Sequence, residues 1–176
     1  MSKRWRYLTE LEIVAAQRIF SDGLDYGRIK IYRGIPYLPS MNVAIAPNGH
    51  IYFPRHNCPE DFVLAGASYE MWLIHELTHV WQHQQGFRPW LAGIYLLGVG
   101  GYFRRKAYVY PPLAQISCFS ELNMEQQADV LAHYYAARYL PPNAYSVDQA
   151  EFQTALSEFL RNPKQKTLLP KYRYRG

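Results

Sequence analysis

Residues 68–85 run without a glycine or proline and stop at Gly86, so the spacing predicts one helix ended by a glycine. Inside it lies His75-Glu76-Leu77-Thr78-His79. Residues four apart on a helix share a face, with about 6 Å of axial rise between them. His75 and His79 can therefore aim both imidazoles at one point, at the roughly 2.0–2.1 Å that a zinc ion requires. Glu76 stands next to His75 and can reach a water activated by that ion as general base. Because zinc brings the pKa of such a water towards 7, the base has only a modestly acidic proton to remove. With six His and nine Glu in 176 residues, the pattern arises by chance in about 1% of shuffled chains. Two satisfied histidines on a polar helix face are the weaker account.

A catalytic zinc takes a third protein ligand and leaves the fourth position to water. His83 continues the series, but it lies about 12 Å along the axis from His75, too far to share a tetrahedral ion with it. A second helix is expected from Leu122 to Tyr139, ended by Pro141-Pro142. On it, Glu125 and Asp129 are one turn apart and face the same side. Glu125 is the expected third ligand. Asp129 is expected to bond the non-ligating nitrogen of a zinc histidine and so fix its tautomer. Glu121, read as one turn before Glu125, is the alternative ligand.

The remainder reads as α+β, mainly helical, in one compact domain with a small sheet ahead of the metal helix. Thr9 and Glu12 form a capping box, and the stripe behind it ends near Asp22-Gly23. Arg28–Tyr32 reads as extended. Val43–Ala46 and Ile51–Phe53, joined by Pro47-Asn48-Gly49, predict a β-hairpin over 42–54. Either hairpin strand could accept an extended peptide as an added strand. A third helix is expected over Val147–Leu160. Tyr52, Tyr134, Tyr135 and His133 could each stabilise a tetrahedral oxyanion, and the sequence does not choose among them.

The net charge of +5 is uneven. Residues 161–176 carry six basic groups and no acid, while the other 160 hold 13 basic against 14 acidic groups. This divides the chain into one domain over 1–160 and a basic tail over 161–176, read as solvated or as a handle for an anionic surface or partner, and gives no sign that the body binds nucleic acid. Cys58 and Cys118 do not make a disulfide framework; they could pair with each other, but read rather as small buried hydrophobes. No apolar run of leader length follows Met1, so synthesis in the cytoplasm is expected. The apolar stretch Trp90–Phe103 includes four glycines and falls short of the roughly 20 residues of a spanning helix. It reads as buried packing or as a wall of the site, with a membrane-facing hairpin as the weaker reading.

His75–His79 followed by Glu125-Gln126-Gln127-Ala128-Asp129 resembles the gluzincin arrangement, an HExxH helix completed by the Glu of an ExxxD helix. More closely, the chain resembles small zinc metallopeptidase domains associated with VgrG and Rhs proteins of bacterial type VI secretion. The likeness extends to residues 8–13, 20–26 and 46–53, and so over most of residues 7–140. It implies a zincin-like domain, a zinc cofactor and a protein or peptide substrate. It further implies association with spike components or an immunity protein, and antibacterial action in the periplasm of a target cell. Two other functions fit the same residues: a catalytically silent zincin-fold binding protein, and a zinc amidase acting on a non-protein amide.

Overall fold

The computed structural model describes residues 4–35, 43–98 and 100–171, for Arg104 and Arg105 the backbone only. In chain order the regular elements are β1 (Trp5–Tyr7), α1 (Glu10–Phe20), β2 (Lys30–Arg33), β3 (Ile51–Phe53), α2 (Ala67–Gln84), α3 (Pro89–Gly98), α4 (Met124–Tyr139), α5 (Gln149–Ala155) and α6 (Ser157–Arg161), with short 3₁₀ turns between them. The fold is α+β, helix-rich around one small sheet, as the sequence predicts.

The Thr9–Glu12 capping box is present, and it reaches beyond its own helix. Glu12 is fully buried, where an unpaired carboxylate would be costly. It accepts two bonds of 2.7 Å from the Arg6 guanidinium and one of 2.9 Å from the Phe62 N–H. The same group thus ties β1, α1 and the loop before α2 together. The sheet runs β1-β2-β3, with β1 antiparallel to β2 and β2 parallel to β3 in the register Ile31↔Ile51. Ile31, Ile51 and Phe53 face inward against α2 and join the main core with Leu73, Leu77, Val80 and Trp81. On its other side α2 packs against α4, which contributes Val130, Leu131 and Tyr135 to that core.

Four expectations are corrected. The hairpin over 42–54 reduces to a single antiparallel bridge, Ile45↔Tyr52; residue 42 lies outside the described residues. β3 spends its other edge on β2, and Pro47 has no N–H with which to extend the ladder. The turn is nonetheless demanding: Gly49 has φ +81°, and a Cβ there would lie 2.8 Å from His83 Cδ2. The extended segment begins at Lys30 because Tyr26–Arg28 is a 3₁₀ turn. The third helix is split at Leu156, whose φ of −99° and ψ of 5° leave the helical region, while Phe152, Leu156 and Phe159 all remain buried.

The fourth correction concerns the C-terminal segment. Charge alone marks residues 161–171 as solvated, yet they lie against the core. Trp81 Nε1 donates to the Pro163 carbonyl at 2.7 Å, Leu168 is fully buried, and the Lys171 N–H donates to the Ser120 carbonyl. The Leu168 carbonyl also accepts from Gln127 Nε2 at 2.8 Å. Residues 172–176 lie outside the described residues. Ending the chain after Leu160 removes the buried Leu168 side chain and two buried hydrogen bonds, a loss of about 4 kcal/mol. The truncated chain is therefore expected to melt well below the full chain in circular dichroism; an unchanged melting temperature would return the segment to a free tail.

Candidate metal centre

α2 carries His75, Glu76 and His79, and α4 carries Glu125 and Asp129 on the face turned towards it. The Nε2 atoms of His75 and His79 each lie 3.3 Å from the same Glu125 oxygen, Oε2. One ligand atom from each of the three residues falls within 4.8 Å of the others, so the group can hold a metal ion. The rings meet edge to face, with centroids 5.1 Å apart.

What fixes the rings is a set of bonds behind them. His75 Nδ1 lies 2.8 Å from Asp129 Oδ1; with the carboxylate oxygen as acceptor Nδ1 carries the hydrogen, so in the neutral ring that a metal needs Nε2 turns its lone pair inward. For His79 the partner is Gln82 Oε1, 3.0 Å from Nδ1. The amide orientation is settled by its other end, because Gln82 Nε2 donates to the Met124 carbonyl and to Gln127 Oε1. Gln127 is fixed in turn by donating to the carbonyls of Phe119 and Leu168. A buried relay of two glutamines thus runs from backbone carbonyls to His79 and sets its tautomer. On the remaining ligand, the Tyr102 hydroxyl donates to Glu125 Oε1 at 2.9 Å.

Charge follows this geometry. Burial opposes protonation of His75, but Asp129 and Glu125 outweigh it and push the ring up to about 10. His79 is raised too, with Glu125 overcoming burial. Burial would raise Glu125; the two imidazoles instead hold it well below the usual carboxylate range. Glu76 is raised, chiefly by burial. Its Oε2 is buried and has no hydrogen-bond partner, the one carboxylate oxygen of the cluster left in that condition. A cleft of about 200 Å³ opens over the group, walled by Ala44–Pro47 on one side and by Trp90, Gly93, Tyr102 and Tyr108 on the other.

Other residues singled out in the sequence lie elsewhere. Glu121 is exposed in a 3₁₀ turn that precedes α4, rather than one turn back on the same helix, and accepts from the Ser117 hydroxyl. His83 packs against Gly49, away from the cluster. None of Tyr52, Tyr134, Tyr135 and His133 lines the cleft. Tyr52 stacks on Tyr32, and His133 stacks on Tyr145 with its Nδ1 2.8 Å from the Tyr110 hydroxyl. Tyr134 and Tyr135 are core residues, on faces of α4 other than that of Glu125 and Asp129. Cys58 and Cys118 are free and half-buried. Gln82, Gln127, Tyr102 and Tyr108 escaped the sequence reading, since neither amides nor tyrosines carry a spacing that marks them as metal-site residues.

The solved effector domain of Pseudomonas aeruginosa VgrG2b matches this structure with a TM-score of 0.68 at 30% sequence identity, over 86% of this chain and 82% of that domain. The chain belongs to the VgrG2b effector-domain family. The full-length relative, type VI secretion system spike protein VgrG2b of Pseudomonas aeruginosa strain PAO1, is 35% identical over 139 residues, which is 74% of this chain and 13% of that protein. This member of the family therefore spans about one eighth of the spike protein it matches. No family model matches the chain.

The electrostatics set a direction for pH. A histidine raised from 6.5 to about 10 stabilises the metal-free fold fully below pH 6.5, and that stabilisation is lost as pH rises through 10. Metal uptake needs both rings neutral, so it strengthens over the same range. The metal-free chain is expected to lose melting temperature between pH 6.5 and 9, and the increase produced by Zn²⁺ to grow by more than about 4 °C. A Zn²⁺ effect that shrinks with rising pH would contradict the assignment. Gln82→Leu removes the acceptor that orients His79 and is expected to weaken Zn²⁺ binding about 10–100-fold in chelator competition; unaltered affinity would show the relay to be idle.

Proposed function

We propose that this chain is a zinc-dependent metallopeptidase and serves as an effector module of a type VI secretion system. The observation that carries the reading is Glu76 Oε2, buried and unpartnered beside a His75–His79–Glu125 cluster at the floor of an open cleft. Two imidazole nitrogens and one carboxylate oxygen are a donor set suited to a catalytic zinc that keeps an open position. When bound, the ion would supply Lewis acidity, making a water nucleophilic near neutral pH and polarising the scissile carbonyl.

The chain's own residues supply the rest. His75, His79 and Glu125 hold the ion, and Asp129 and the Gln82–Gln127 relay keep both imidazoles turned towards it. Glu76 Oε2 takes the proton of the attacking water and passes it to the nitrogen of the leaving amine. Burial favours this exchange, because a carboxylate with a raised pKa holds the proton longer than an exposed one. The cleft wall favours a peptide over a non-protein amide. The Ile45 N–H and C=O both pair with Tyr52, and in an extended strand the neighbouring residues turn theirs the opposite way. Ala44 and Ala46, which line the cleft, thereby offer an edge to an extended substrate. Family membership supports delivery with a VgrG-type spike, and in this reading the chain acts in the periplasm of a target cell.

Glu76→Gln is expected to lower hydrolysis of an unfolded protein substrate about 10²–10⁴-fold while zinc stays bound. When the chain is directed to the periplasm of a bacterial host, the wild type is expected to arrest growth and the variant not to. Equal cleavage by both proteins would defeat the proposed base; equal harm from both would defeat the hydrolytic effector.

A further inference from the structure

α3, Pro89-Trp90-Leu91-Ala92-Gly93-Ile94-Tyr95-Leu96-Leu97-Gly98, has no charged residue on any side. A helix apolar all round is ordinarily enclosed. Here only one face is: Ala92 and Leu96 pack with Phe87, Ala107 and Met124 in a small second core. At about 100° per residue, Trp90, Ile94 and Leu97 fall within one arc on the opposite side, and they are 49%, 61% and 69% exposed. Phe103, just beyond the helix, is 65% exposed. Large side chains have been left in water along a whole stripe, which marks an interaction surface.

Charge narrows what can cover it. From Leu77 to Ser120 the sequence holds Arg88, Arg104, Arg105 and Lys106 and not one Asp or Glu. Arg88 and Lys106, on either side of α3 in the chain, are exposed. A protein partner would have to be apolar and acidic in the same small area, whereas an anionic bilayer is both throughout. Trp, Ile and Leu facing outward, bracketed by cations, is the pattern of a helix lying in the headgroup layer. No described helix is long and apolar enough to cross a membrane, and ten residues make only about 15 Å, so α3 would lie flat. We propose that α3 and the turn after it dock this protein on a membrane surface rich in anionic phospholipid. Trp90 belongs to both the exposed stripe and the cleft wall, so docking turns the mouth of the cleft towards the headgroups. The binding itself does not rest on the hydrolytic reading.

The test uses the full chain with vesicles of phosphatidylcholine alone and of phosphatidylcholine mixed with phosphatidylglycerol. Sedimentation is expected to show at least tenfold tighter binding to the mixed vesicles, weakening with salt, and brominated acyl chains are expected to quench tryptophan emission. Ile94→Ser with Leu97→Ser should weaken binding at least tenfold. Lys106→Glu should weaken it at least fivefold, one cation near such a surface being worth about that factor. All three side chains are exposed, so thermal melts should match the wild type. Failure to bind either vesicle, or undiminished binding by the Ile94/Leu97 variant, overturns the proposal. So does lipid-free self-association abolished by that variant without any vesicle binding, which would make the stripe an interface between copies.

Discussion

Two imidazoles and two carboxylates cannot be withdrawn from water between a pair of helices unless their remaining polar atoms are satisfied. The packing of α2 on α4 is organised around that requirement. Asp129 answers His75, Gln82 answers His79, Tyr102 answers one oxygen of Glu125, and Gln127 anchors Gln82 to main-chain carbonyls. The core on either side is ordinary aliphatic and aromatic packing. The polar seam through it permits only one relative placement of the two helices, since a shift of one turn would strand several buried groups at once. Glu76 Oε2 stands outside this closed accounting, buried and without a hydrogen-bond partner.

That seam also explains what could be read from the sequence. α2 was legible almost to the residue because a long run without helix breakers ends at Gly86, and α4 because Pro141-Pro142 stops it. The residues of the cluster share helical faces at i, i+4, a periodicity visible in one dimension. Gln82 and Gln127 do not announce themselves, because a glutamine facing water and a glutamine buried in a relay look alike until the opposing helix is in place. The second capping box, Asn123 with Gln126, was equally silent: its signature is there, it starts α4 two residues after Leu122, and Glu121 lies before it in a separate 3₁₀ turn.

In two places composition over a window and the single side chains that settle structure point different ways. Six cations marked residues 161–176 as solvated, yet one Leu and two main-chain carbonyls suffice to hold residues 161–171 to the core. In α3 the bias worked the other way. Uniform apolarity promised burial, and the second core is large enough to enclose only half of the helix.

The relay behind His79 ends on the carbonyl of Leu168, and this gives the centre a place in time as well as in space. A chain emerging from a ribosome presents the HExxH helix long before residue 168 arrives. Until then Gln127 lacks one of its two anchors, and the amide of Gln82 that orients His79 is braced less firmly. The segment around Leu168 therefore completes the support of the cluster after the two helices that carry it have been made.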